Sequence, residues 1–276
     1  MKIGKKEFDV NNKTYIMGIL NVTPDSFSDG GRWAGRDAAL RHAEEMIRDG
    51  ADIIDIGGES TRPGYVQISV QEETDRIVPV IEALKSEFDI PLSADTYKSE
   101  VAEAALCAGA DLINDIWGFL YDEKMAFVVK KYDAACCLMH NRDEAVYNDF
   151  LSDMCADLQK CVAAAKSAGI AEDKIILDPG VGFGKTYEMN LDVLANLELF
   201  NKLGYPMLLG TSRKSVIGKT LDLPSDQREE GTIATTVMAV QSRYAFVRVH
   251  DVLKNKRAIQ MTEAVMARSA ERAGKR

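Results

Sequence analysis

The sequence predicts an α/β protein built as a single (β/α)8 TIM barrel with a small N-terminal β-hairpin, and three observations support that reading. Short β-branched runs alternate along the chain with longer segments of helical apolar period. Eight strand-and-helix units fit the 276 residues present, near the roughly 250 typical of such barrels. Two stretches, DGADIIDIGG from Asp49 and AGADLINDIWG from Ala108, repeat a glycine, an Ala-Asp pair and a short strand. Their glycines, Gly50 and Gly109, lie two units apart. An open, doubly wound sheet is the alternative architecture. No linker or composition break divides residues 1–276, so one domain is expected.

The elements follow in order. A hairpin is expected over residues 8–14, with Asn11-Asn12 at its turn. Strands are expected at 15–20, 53–56, 91–94, 112–113, 134–139, 174–177, 206–209 and 245–249. Between them, Ala39, Ala43, Met46 and Ile47 form one helical stripe, and Leu151, Met154, Leu158, Cys161 and Ala165 another. Ser69 with Glu72 is a capping box opening a helix with Ile77, Ile81, Leu84 and Phe88 on one face. Pro79 inside that segment predicts a kink or a restart.

Composition narrows the partners. The chain has 34 basic against 43 acidic residues, a net charge of −9, which argues against nucleic acid, whose phosphates call for a basic face. The charged N-terminal stretch has no apolar core of signal-peptide kind, and no run reaches 18 apolar residues, so no membrane partner is expected. Five cysteines without a CxxC pair read as reduced core residues of a cytoplasmic protein.

Barrel active sites are built at strand C-termini. Here the strands run out at Asn21, at Glu59 to Arg62, at Asp95, at Asn114-Asp115, at His140, at Asp178, at Ser212 to Lys214, and at Arg248 with His250. Asp95, Asn114 and Asp178 stand where burial is expected, and an unpaired buried carboxylate costs several kcal/mol. Two carboxylates and an amide suit a ligand rich in N–H donors, such as an amino-substituted heterocycle. Arg62, Lys214, Arg248 and His250 suit an anion, and three of the four follow strands 7 and 8, where barrels often hold phosphate. The stretch DPGVGFGKT, from Asp178, imitates a P-loop but has Pro179 where glycine is required. Its glycines are expected to let the backbone turn closely over a flat ligand, with Phe183 as a wall. Three scattered histidines argue against a caged transition metal, whereas magnesium held mainly by substrate phosphates needs few protein oxygens, and Asn21 can supply one.

Seven ordered motifs, ILNVTPDSFSDGG, DIGGESTRPG, SADT, LINDIWG, LDPGVGFGKT, GTSRKS and VRVHDV, together resemble the dihydropteroate synthase family of the pterin-binding barrels over nearly the whole chain. The resemblance implies condensation of 6-hydroxymethyl-7,8-dihydropterin pyrophosphate with p-aminobenzoate, with Mg2+, by an SN1-like path in a homodimer formed through late helices. It implies a pterin site of Asp95, Asn114, Ile116, Met139, Asp178, Phe183 and Lys214. Asn21, Arg62, Arg248 and His250 would hold pyrophosphate, Asn21 also the metal. Phe27, Thr61, Pro63, Lys214 and Ser215 would take p-aminobenzoate. The catalytic set is Lys214, Arg248, Asp95 and Asn21, and TPDSFSDGG becomes an expected lid. A methyltetrahydrofolate-binding methyltransferase domain and a non-catalytic pterin-binding paralogue are the alternatives. One departure stands out: after His140 the family commonly continues with methionine and a glycine-containing stretch, where this chain reads NRDEAVYNDF.

Overall fold

The computed structural model describes residues 1–22, 31–59 and 66–273. Eight parallel strands form its centre: β3 (Tyr15–Asn21), β4 (Ile53–Gly57), β5 (Leu92–Asp95), β6 (Leu112–Asp115), β7 (Ala135–Met139), β8 (Ile175–Asp178), β9 (Leu208–Leu209) and β10 (Phe246–Val249). They pair in the order β8-β7-β6-β5-β4-β3-β10-β9. A bridge between Leu177 and Met207 brings the two ends of that sheet together, so the strands close into a barrel. The expected eight strands are all present, with ends moved by one or two residues.

Helices α1 (Gly31–Arg48), α2 (Val70–Glu87), α3 (Ser99–Cys107), α4 (Met125–Lys131) and α5 (Phe150–Ser167) surround the first half. Helices α6 (Tyr187–Ala195), α7 (Leu197–Asn201), α8 (Ser215–Leu221), α9 (Glu229–Gln241) and α10 (Val252–Ala273) surround the second. The period of two along each strand sorts side chains into two cores. Outward residues such as Ile54, Ile113, Leu177 and Val247 join the helical stripes. Inward residues Met17, Ile53, Leu112, Cys137, Ile176 and Phe246 fill the barrel floor with Ile3 and Phe8.

The repeated glycines behave alike. Gly50 and Gly109 have φ of +102° and +110°, and each ends its helix with paired backbone bonds back to the last turn. The capping box is also formed, Ser69 Oγ accepting from the Glu72 N–H at 3.1 Å.

Two expectations are corrected. The hairpin is β1 (Lys2–Ile3) with β2 (Lys6–Glu7), not residues 8–14, because Gly4 at φ +58° makes the tight turn. Residues 9–13 instead form a local turn in which the Asn12 amide donates to the Asp9 carboxylate. Of the kink or restart expected at Pro79, the restart does not occur: α2 runs through Pro79 as one helix of 18 residues, held by buried Ile77, Val80, Ile81 and Leu84. Among the cysteines all five are unpaired, but Cys107 is exposed rather than in the core.

Candidate active site

Four strands share one inward pattern. Ile53, Leu112, Ile176 and Phe246 lie on the floor, and two residues later come Asp55, Asn114, Asp178 and Arg248. Since alternate strand residues face the same side, a polar layer sits directly above the apolar one. Asp95 joins it from β5.

Arg248 is the hub. Its Nε donates to Asp55 Oδ2 at 2.6 Å and its Nη2 to Asp95 Oδ2 at 2.5 Å. The Asn114 amide donates to the same Asp55 oxygen at 3.2 Å, and Ser93 Oγ donates to Asp55 Oδ1 at 2.5 Å. Asp55 is therefore saturated, while Asp95 Oδ1 is buried with no partner. Burial, with the charges of Asp55, Glu73 and Asp115 adding to it, raises Asp95 to about 7 even against the pull of Arg248. Burial raises Asp178 too, although the Lys214 ammonium and the Gly180 N–H favour its charged form. One Asp178 oxygen accepts from Gly180 at 2.7 Å.

The apolar walls stand apart from the main cores. Ile116, Met139 and Phe183 cluster with Tyr97 and Trp117. Lys214 lies 4.6 Å from the centroid of the Phe183 ring and donates to the Val181 carbonyl at 2.5 Å. Its desolvated ammonium is pushed down to about 8, so it is a ready donor at neutral pH. Beyond it lie exposed Ser215 at the start of α8 and His250, whose Nδ1 faces Ser212 Oγ at 2.9 Å.

Asn21 closes β3 beside Gly57. Where Gly57 lacks a Cβ, Asn21 Oδ1 and Asp95 Oδ2 come within 3.7 and 3.6 Å of the vacant position, so two hard oxygens share one edge of the mouth. Among the described residues no three His, Cys, Asp or Glu side chains group as a metal cage. Asn21 Oδ1 at this edge fits a magnesium ion that keeps waters and takes substrate phosphate oxygens.

The structure thus brings together Asn21, Asp95, Asn114, Asp178, Ile116, Met139, Phe183, Lys214 and Arg248 at one end of the barrel. Phe27, Thr61, Arg62, Pro63 and the expected lid at 23–31 fall wholly or mainly outside the described residues. The segment 60–65 is flanked by a buried knot: Lys98 Nζ donates to Glu59 Oε2 at 2.7 Å, to Glu73 Oε2 at 2.6 Å and to the Ile68 carbonyl at 2.8 Å.

Asp55 was missed by sequence reasoning. Its signal was a carboxylate in mid-strand, in IIDIG, two residues after the floor residue Ile53. A second expectation needs correcting. The close approaches of Gly180 and Gly184 are to protein: a Cβ on Gly180 would stand 1.9 Å from the His140 carbonyl oxygen, and one on Gly184 2.5 Å from that of Arg142.

Comparison with known proteins agrees with this geometry. A family model described as pterin binding enzyme matches residues 17–250. The dihydropteroate synthase of Clostridium beijerinckii is 59% identical over 269 residues, covering 97% of this chain and 100% of its own. A crystal structure of the Clostridium difficile dihydropteroate synthase in the presence of pteroic acid superposes with a TM-score of 0.92 at 53% identity, covering 94% of this chain and 99% of that one. The Yersinia pestis enzyme in a sulfonamide drug complex gives 0.91 at 42% identity, covering 97% and 99%.

Proposed function

This chain belongs to the dihydropteroate synthase family of pterin-binding enzymes, and on that premise we propose how its own residues perform the condensation of 6-hydroxymethyl-7,8-dihydropterin pyrophosphate with p-aminobenzoate. It is a transferase of folate biosynthesis.

The supporting observation is the polar layer above the barrel floor. Asp95, Asn114 and Asp178 offer acceptors on three strands, and the free oxygen of Asp95 is a buried acceptor without a donor. A pterin amine and ring N–H would satisfy it, which offsets the desolvation of the carboxylate. Lys214, which lies against the Phe183 ring, would donate to the ring oxygen and nitrogen of the pterin, and the clustered Ile116, Met139 and Phe183 would line its faces.

The pyrophosphate would lie toward Asn21, Arg62, Arg248 and His250. Arg248 keeps Nη1 free of the two carboxylate bonds described above, so it can hold the ring-side acids and still donate to phosphate. Asn21 Oδ1 and phosphate oxygens would hold Mg2+, which supplies neutralisation of charge on the leaving group.

In the reaction the C–O bond between the pterin methylene and pyrophosphate breaks, its electron pair leaving with pyrophosphate. The arylamine nitrogen forms the new C–N bond and releases a proton to solvent. Arg248 stabilises the departing charge while Lys214 and the walls hold the ring so that the methylene faces the amine; positioning and electrostatics drive the step without a strong general base. p-Aminobenzoate, and the sulfonamides that resemble it, would occupy the outer mouth near Phe27, Thr61, Pro63, Lys214 and Ser215.

A homodimer through the late helices is supported by Leu253, Met261 and Val265, exposed along α10. No described helix is long and apolar enough to cross a membrane, and five unpaired cysteines support a cytoplasmic setting. The deciding experiment is pyrophosphate release from purified protein. Release is expected only with both substrates and magnesium; release indifferent to p-aminobenzoate would overturn the reading.

A further inference from the structure

The loop that departs from the family pattern, residues 141–149, and the lysine of the false P-loop both remain without a role in the reaction above, and they meet. Lys185 is half-buried, its Nζ against three acceptors: the Gly180 carbonyl at 2.8 Å, the Phe183 carbonyl at 2.9 Å and His140 Nδ1 at 2.9 Å. Both carbonyls belong to the glycine loop that joins Asp178 to Phe183. From the other side Tyr147 donates its hydroxyl to the Gly184 carbonyl at 2.7 Å. The Arg142 backbone fills the space that a side chain at Gly184 would need.

We propose that Lys185 is a positioning residue for the pterin, holding Phe183 and the loop after Asp178 in register through their carbonyls, with His140 at the end of β7 and Tyr147 from the segment 141–149 as its supports.

The chemistry of His140 agrees. Asp157 Oδ2 lies 3.4 Å from His140 Nε2, which favours the Nε2–H tautomer and leaves Nδ1 bare to accept from Lys185. The imidazole is held neutral, its pKa falling to about 3 through burial and the neighbouring Lys185 charge. Burial also draws Lys185 to about 7, and both of its protonation states retain the two N–H groups that the loop carbonyls need. A loop with positive φ at Gly180, Gly182 and Gly184 has little conformational preference of its own. Its order must therefore come from such external bonds. Asn190 Oδ1, accepting from the Gly182 N–H at 2.5 Å, supplies one more.

The inference rests on the proposed function, since it assumes that the pterin lies between Asp178 and Phe183. Its test is steady-state kinetics on Lys185→Met and Tyr147→Phe, with the thermal midpoint of each. For Lys185→Met the KM for the pterin pyrophosphate should rise about tenfold, as the loss of one to two net hydrogen bonds implies. For Tyr147→Phe it should rise about threefold. The KM for p-aminobenzoate should stay within twofold in both. If Lys185→Met does not fold, Tyr147→Phe decides alone. Unchanged pterin KM in the folded variants, or equal rises for both substrates, overturns the proposal. Wild-type protein that fails to turn over the two substrates would instead overturn the proposed function.

Discussion

The two ends of the barrel are made by the same eight strands and obey opposite rules. At the floor the inward residues are apolar and packed, with Phe8 set edge-on to Tyr15 at 4.8 Å between ring centroids and tilted against Phe246 at 5.6 Å. Two residues further along, the same strands place an arginine, three carboxylates and an amide in a space almost as dry. Packing of the floor gains from every methylene removed from water. Burial of the mouth's charges opposes folding unless each finds its partner. The floor therefore stabilises a scaffold, and the mouth holds charged groups that, on the proposed function, would complete their bonding with substrate.

Breaking the hub should have the largest effect. Arg248→Met would leave Asp55 and Asp95 buried without their cation, a loss of about 3–5 kcal/mol for such a pair, seen as a large fall in denaturation midpoint. Turnover of the folded fraction should drop about a thousandfold. Near-normal kcat/KM would show that the charged layer is only structural. Phe8→Ala tests the other end. It should cost about 3 kcal/mol of stability by cavity formation, with kcat unchanged well below the melting temperature. A matching loss of turnover would erase the division between the ends.

Asp178→Asn should weaken pterin binding about a hundredfold, since a charged acceptor becomes a half-mismatched amide; isothermal calorimetry reads this directly. The pH dependence of binding is smaller. Asp95 titrates near 7, and only its ionised form presents two acceptors, so pterin affinity should rise as pH increases from 6 to 8 and then level. In Asp95→Asn the profile should flatten, and an unaltered slope would assign the titration elsewhere. The same raised value has the opposite sign for the empty protein. Its native state holds this proton more tightly than the unfolded chain, so the stabilising contribution is full below pH ~4 and is lost as pH rises through about 7. Smallest in effect on catalysis is Met261→Glu on α10. It should halve the mass seen by light scattering while leaving the fold intact, and an unchanged mass would move the dimer contact away from this face.

Much of this was legible in the sequence because it depends on local order along the chain. Period-two runs, helical stripes, the repeated glycine turns and the capping box each express a short-range preference, and the structure keeps them. The hairpin was misplaced because Asn-Asn is as good a local turn as a strand reversal, and only Gly4 beside Asp111 decides which segment pairs. Pro79 was read as a kink or a restart because its effect on the backbone is local, and the restart does not occur. Burial of the helix's apolar face outweighs that cost once a barrel is present to receive it.

By itself the sequence determined the order of strands and helices and the chemical character of each strand end, since alternation and turn residues act over a few neighbours. The motifs it contains also determined the family. Only the tertiary structure decided that Arg248 closes on Asp55 and Asp95, that Gly180 and Gly184 nest against the backbone of His140 and Arg142, and that Lys185 finds three acceptors. Those contacts join residues as many as 193 positions apart, and their geometry exists only when barrel closure has brought the strand ends together.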